Sequence, residues 1–354
     1  MKGVLRLATW ATLGAGAWVG SRALRERRRI SFLGRVVVIT GGSRGLGLVL
    51  ARRFADEGAK LALLARSDED LERAAQELRE RGADVEAIVC DVADEAQVNA
   101  ALRQVLDRWG RVDVLINNAG IIQVGPLEHM SRQDFQDSID IHFWGPYHTM
   151  QAVIPHMRGT GGRIVNIASI GGKIAVPHLA PYTAGKFALV GLSDALRAEL
   201  RKDRIYVTTV VPGLMRTGSP PNALFKGRNQ QEYAWFAIGD ALPGLSIDAD
   251  QAAFQIIEAC RYGDPALTIT LPAKLAAAAN NVAPNLVGHI TALVNQFLPR
   301  PTSSAGDQAR SGWESQSTAA PSLLTKLSDQ ASVENNQLRG DEPEAERALA
   351  ANAS

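Results

Sequence analysis

Short apolar runs alternate with amphipathic stretches from residue 34 to about residue 272. The segment 35–40 holds Val36, Val37, Val38 and Ile39 in succession and predicts a buried strand. Similar runs occupy 60–65, 84–89, 112–116, 164–168 and 204–210, and 266–271 offers a seventh. Between them, helical spacing of apolar positions covers 68–81, 94–108, 131–157, 181–201 and 248–261, and a helix through about Glu57 follows the first strand. Strand and helix in regular alternation, with short connections, predict an α/β fold. Its core is a doubly wound parallel sheet in one domain, with ligands at the carboxyl ends of the strands.

Outside this core the pattern changes. Residues 7–20 carry no charge, and Arg22, Arg25, Arg27, Arg28 and Arg29 follow. This leader, residues 1–33, admits three readings. One is a cleaved secretory signal ending near Ala15-Gly16-Ala17, which the late position of the positive charge disfavours. The second is a membrane anchor with the main domain on the cytoplasmic face; fourteen helical residues span only about 21 Å, so residues 3–29 would span marginally. The third is a helix on a membrane surface with its arginines at anionic headgroups. After the core, residues 273–300 hold an apolar helical face, Leu286, Val287, Ile290, Leu293, Val294, Phe297 and Leu298, with packing on the core or a partner as the default. Residues 301–354 are rich in Ser, Ala, Gln, Asn, Glu and Asp and predict a mostly disordered tail, with a short helix near Leu323 able to dock.

Composition adds exclusions. The 354 residues are 46% hydrophobic and carry a net charge of +1, which gives no bulk attraction for nucleic acid. Two cysteines, Cys90 and Cys260, make neither a disulfide framework nor a zinc site, and no metal ligand set is expected. A reducing compartment fits, so the expected location is cytoplasmic, membrane-associated if the leader binds lipid.

The chemistry clusters at strand ends. The first strand runs into Gly41-Gly42-Ser43-Arg44-Gly45-Leu46-Gly47 and then a helix. Backbone N–H groups at such a helix start bind phosphate, and glycines permit close approach. The second strand ends in Ala65-Arg66-Ser67 with no acid for a ribose 2′-hydroxyl. Arg66, with Arg44 nearby, suits a 2′-phosphate, which favours NADP over NAD. Ser169 closes the strand 164–168, and Tyr182 and Lys186 follow at an i, i+4 spacing on one helix face. A hydroxyl, a phenol and a cation together suggest proton transfer, with the cation lowering the phenol pKa.

These residues, with Asp91-Val92, Asn117-Asn118-Ala119-Gly120 and Pro212-Gly213, stand in an order that resembles the short-chain dehydrogenase/reductase family, in its single-domain Tyr-x3-Lys form. The resemblance covers about residues 34–270 and implies a Rossmann-type domain over 34–272. By that resemblance, Gly41, Ser43, Arg44, Gly45, Leu46 and Gly47 would hold the cofactor phosphates and Arg66 the 2′-phosphate. Asp91 and Val92 would flank the adenine. Asn118, Ala119 and Gly120 would line the ribose and nicotinamide side, with Asn117 bracing the sheet. Pro212, Gly213 and Thr217 would hold the nicotinamide end. Ser169 would position the substrate oxygen, Tyr182 would exchange the proton, and Lys186 would bind the nicotinamide ribose while lowering the tyrosine pKa.

One position departs from the family pattern. An asparagine that supports a water chain behind the lysine is replaced by His142, which could hold a water and titrate near neutrality, or could be a packed substitution. His178, on the loop before Tyr182, could touch substrate. The segment 214–244 contains Leu224, Phe225, Tyr233, Trp235, Phe236 and Ile238. It predicts a lid over an apolar alcohol or carbonyl substrate, though the same residues could simply pack the lid. The expected activity is NADP-dependent interconversion of an alcohol and a ketone or aldehyde, in a homo-oligomer by family analogy. The alternatives are a non-catalytic NADP(H) sensor and a membrane-tethered scaffold.

Overall fold

Valine-rich runs buried on both faces form the centre of the protein. The structure, a computed structural model, describes Gly20 and residues 22–338. Seven parallel strands make one sheet: β1 Val36–Thr40, β2 Lys60–Ala65, β3 Val85–Val89, β4 Val114–Asn117, β5 Gly162–Ile167, β6 Ile205–Pro212 and β7 Ala266–Ile269. Their spatial order is β3-β2-β1-β4-β5-β6-β7, so the order reverses between β1 and β4. That reversal opens a crevice at the carboxyl ends of β1 and β4, where ligands bind in such sheets.

Alternation along β1 divides the core in two. Val37 and Ile39 point to one face and pack with α1 (Gly45–Asp56), α2 (Asp68–Glu80) and α8 (Ala249–Tyr262). Val36 and Val38 point to the other, against α3 (Glu95–Trp109), α5 (Gly145–Met157) and the end of α6 (Ala180–Leu200). Cys90 and Cys260 are buried, free thiols within these cores.

The expected helix over 131–157 is three pieces. The first is α4 (Arg132–Ile139), capped by Ser131 in a capping box with Asp134. A π-helical turn follows at Asp140–Trp144, and α5 continues it. The widened turn carries His142 and turns it inward. The lid contains α7 (Asn229–Ala241).

Three features outside the core differ from expectation. Arg25 is committed to Asp264 at 2.8 Å and stacks 3.8 Å over the Tyr262 ring, so it is not presented to headgroups. Residues 1–19, which hold most of the apolar leader, lie outside the described residues. Among those described, no helix is long and apolar enough to cross a membrane. The apolar helix expected over 286–298 appears as α10 (Pro284–Asn295), after α9 (Leu271–Val282), but it buries no residue against the core. Leu286, Ile290, Leu293 and Phe297 are exposed, so core packing is not its role within one chain.

The tail, read as mostly disordered from Pro301 with a short docking helix near Leu323, follows an ordered course as far as Leu338, and the helix does dock. The tail adds a short antiparallel strand at Arg310–Ser311 against Leu224–Phe225, and α11 (Lys326–Glu334) docks on the domain. Amide and hydroxyl groups make most of these contacts, so no apolar periodicity announces them.

Candidate active site

The glycine loop folds tightly because its glycines leave no room for side chains. A Cβ on Gly47 would stand 2.0 Å from the Gly41 carbonyl oxygen. Gly41 itself sits at φ +63°, a left-handed conformation that favours glycine. Asn118 braces the loop by donating from Nδ2 to the carbonyls of Thr40 and Gly41, both at 3.1 Å. The Thr40 hydroxyl accepts from the N–H groups of Asn118 and Ala119. Sequence motifs named Asn118 and Gly41 but missed the knot that Thr40 ties between β1 and β4.

α1 begins at Gly45 with no side-chain cap and no acid in its first turn. The N–H of Gly45 goes to the Asn335 carbonyl, while Leu46 and Gly47 have no recorded acceptor among the described residues. An uncapped N-terminus of this kind suits a phosphate. Arg66 lies exposed just past the end of β2 on the cavity wall, and among the described residues no ion pair or hydrogen bond engages its guanidinium. Arg44 differs: it reaches Asp70 at 3.6 Å and Asn222 at 3.2 Å.

A cavity of about 930 Å³ runs from Arg66 and Asp91 to Trp235 and Phe236. Almost all the residues singled out from sequence line it, including Ser43, Val92, Gly120, Ser169, Tyr182, Lys186, Pro212, Gly213 and Thr217. Gly47 and Asn117 do not, since they hold the loop and the sheet. Asn117 donates to Asn166 at 2.8 Å and accepts from Thr149 at 2.7 Å inside the core.

Ser169, Tyr182 and Lys186 converge at the end of β5. Ser169 accepts from the Gly171 N–H at 3.1 Å. Lys186 is buried, and its Nζ donates to the Ile167 carbonyl at 2.8 Å. The electrostatics differ from the sequence expectation. Burial raises the Tyr182 phenol pKa, offset in part by Ser169. Burial also pushes Lys186 down to about 7. The ammonium lies 5.6 Å from the Tyr182 ring centroid and is itself destabilised, so in the protein alone it does not set the phenol's acidity.

His142 is buried behind these groups. Its Nδ1 stands 3.1 Å from the Ser138 hydroxyl, which donates to the Pro181 carbonyl at 2.7 Å. With its proton so used, Ser138 accepts, and His142 carries hydrogen on Nδ1. The remaining Nε2 accepts from the Ile121 N–H at 3.4 Å. Burial, and then the nearby Lys186, hold the imidazole well below its ordinary value. Of the readings open from sequence, titration near neutrality does not fit: burial favours the neutral imidazole, and His142 is packed in the site. Small neighbours make its place, since a Cβ on Gly120 would lie 2.9 Å from Nε2 and one on Gly185 3.0 Å from its Cβ.

His178 does not line the cavity. At φ 62° it turns its ring to Glu232 of α7, with Nδ1 2.9 Å from Oε1. Trp235 donates to the same carboxylate at 2.7 Å. This buried cluster fixes the lid to the loop before Tyr182, and Glu232 was missed because neither helical spacing nor any motif marks it. Trp235 and Phe236 face the cavity, whereas Phe225 and Tyr233 are packed beneath.

The parallel sheet, its reversal point and this cluster define a dinucleotide-dependent oxidoreductase. The short chain dehydrogenase family model matches residues 35–223, and the chain belongs to that family of NAD(P)-dependent oxidoreductases. The granaticin polyketide synthase putative ketoacyl reductase 1 of Streptomyces violaceoruber is 40% identical over 185 residues, 51% of this chain and 68% of that protein. L-sorbose reductase from Gluconobacter frateurii, solved with NADPH and L-sorbose, superposes with a TM-score of 0.61 and 27% identity, covering 68% of this chain and 97% of that one. A short-chain dehydrogenase/reductase from Burkholderia phymatum, in complex with NAD, superposes with a TM-score of 0.65 and 27% identity, covering 73% of this chain and 96% of that one.

Proposed function

We propose that the protein is an NADP-dependent reductase or dehydrogenase that interconverts an apolar alcohol and its ketone or aldehyde. The convergence of Ser169, Tyr182 and Lys186 at one end of the cavity, with Arg66, which has no ion pair among the described residues, at the other, carries this reading. Glycine-loop N–H groups would hold the diphosphate and Arg66 the 2′-phosphate. When bound, the dinucleotide supplies or accepts the hydride at carbon. Tyr182 Oη donates the proton to the substrate oxygen in reduction and takes it back in oxidation. Ser169 Oγ orients that oxygen, and Trp235 and Phe236 exclude water above it. Lys186, held on the Ile167 carbonyl, would bind the nicotinamide ribose.

NADPH consumption over a panel of carbonyl compounds tests the reading. Tyr182→Phe is expected to lose about 10²–10⁴-fold in kcat while binding NADPH as before. NADPH binding with no Tyr182-dependent turnover would favour the sensor alternative. Two further parts of the proposal concern assembly and location. Pairing of subunits through α5 and α6 is favoured by the exposed Phe187 on α6 and Trp144 just before α5, and sedimentation would report the oligomer. Membrane association through residues 3–29 is tested by fractionating cells expressing residues 1–354 or 31–354; equal solubility would remove it.

A further inference from the structure

The far end of the chain returns to the glycine loop. α11 is held against the lid side of the site: Ser332 Oγ donates to the Gly218 carbonyl at 3.0 Å and Ser328 Oγ to Asp240 at 3.3 Å. The three residues that follow reach the loop itself. The Asn335 carbonyl accepts from the Gly45 N–H at 2.8 Å, and its side chain accepts from Arg52 at 3.1 Å. Asn336, at φ +56°, donates from Nδ2 to the carbonyls of Ser43 at 2.8 Å and Asp70 at 3.2 Å. Gln337 is 4% exposed and forms part of the cavity wall. Asn222 donates to its side-chain oxygen at 2.9 Å and to its backbone carbonyl at 2.8 Å. Its Nε2 lies 3.4 Å from the Thr217 carbonyl and 2.5 Å from where a Cβ on Gly45 would stand.

Gln337 thus bridges the two banks of the cleft, the glycine loop and the segment ending at Thr217. The contacts on these banks come from amides, hydroxyls and backbone. Asp329 of the strap is buried and accepts from Thr325 at 2.7 Å. Under this bridge the cavity stays open from Arg66 to Tyr182, at a volume ordinary for a cofactor site. The segment therefore covers the site, taking the Gly45 N–H but leaving those of Leu46 and Gly47 without an acceptor among the described residues.

We infer that residues 325–337 form a strap over the cofactor diphosphate, that the Gln337 side-chain amide donates to a diphosphate oxygen, and that the dinucleotide enters and leaves only when the strap lifts. This inference rests on the dinucleotide reading of the site. Asparagine at position 336 serves both the donor geometry and the left-handed turn that brings Gln337 over the cleft.

Stopped-flow fluorescence of NADPH, displaced by excess NADP⁺, tests the strap in full-length protein. Asn336→Ala removes two strap-to-loop bonds and should speed NADPH release about tenfold. Gln337→Ala should speed release and weaken NADPH binding several-fold. Gly218→Ala, whose Cβ would come 2.3 Å from Ser332 Cα, should also speed release. Trypsin cleavage after Lys326 in wild type supplies a measurement free of variants, and NADPH should slow it. Release rates unchanged in all three variants, or cleavage indifferent to NADPH, would overturn the strap. Tighter NADPH binding by the variants would overturn it too, since that marks a competing plug. Wild type that binds neither NADPH nor NADH would overturn the dinucleotide reading, and the strap with it.

Discussion

His142 Nδ1 and Ser138 Oγ stand 3.1 Å apart, and the onward bond from Ser138 to Pro181 at 2.7 Å fixes which of them donates. The imidazole enters the site as a neutral acceptor. His142→Asn should keep kcat within about fivefold, because an amide retains one donor and one acceptor. Its acid limb of kcat against pH should superpose on that of wild type. A limb present in wild type and absent from His142→Asn would mean that the histidine titrates during turnover.

Of the two arginines on the cavity wall, Arg66 has no ion pair among the described residues, whereas Arg44 already faces Asp70. Arg66→Ala should weaken NADPH binding roughly 10- to 100-fold, the scale of one charge-assisted hydrogen-bond pair. NADH affinity should hardly change. Calorimetric titration with both nucleotides reads the ratio, and an unchanged preference would remove the basis for assigning NADP.

Asp240 and Lys186 give the cofactor-free protein opposite responses to pH. Burial raises Asp240 from 3.8 to about 7, with Ser328 opposing. The folded state therefore holds a proton that the unfolded chain releases, and stability falls as pH rises from about 4 to about 7. Burial lowers Lys186 from 10.5 to about 7, so its contribution grows as pH rises from about 7 to 10.5. Together these two groups put a local minimum of stability near pH 7. Asp240→Asn should raise Tm at pH 8 and leave it nearly unchanged at pH 4. Lys186→Met should raise it at pH 6 and do little at pH 10.5. Parallel Tm profiles for wild type and both variants would contradict this.

The His178–Glu232 pair is buried at both ends, with side-chain exposures of 7% and 0%. Removing one partner leaves polar groups of the other without a bond. Glu232→Ala should cost on the order of 3 kcal/mol of stability. It should also raise KM more than it lowers kcat, because Trp235 loses its acceptor and the lid its tie to the tyrosine loop. Glu232→Gln, which keeps an acceptor for Trp235, should recover part of the KM change.

The sheet was legible because its strands are short, mostly apolar runs, and the site because its residues sit at or just past the ends of those runs. Gly41 and Gly213 each follow a strand directly, and Ser169 stands two positions past the end of β5. The ionisation of His142, Tyr182 and Lys186 was not legible, since it depends on enclosure by Gly120, Gly185 and the lid rather than on neighbours in the chain. The role of Glu232 was hidden for the same reason: its partner stands 54 positions away. The path of residues 301–338 left the least trace. Amide contacts such as those of Asn222, Asn336 and Gln337 follow no period, and a polar composition looks the same whether its groups bond to water or to protein.

The bond between Asn336 and Ser43 joins residues 293 positions apart. During synthesis at about 5–20 residues per second, the glycine loop is made roughly 15–60 s before its cover. The nascent Rossmann core can thus meet dinucleotide while its diphosphate site is still open, and a ribosome that stops short of residue 336 leaves a protein able to bind cofactor but unable to close over it.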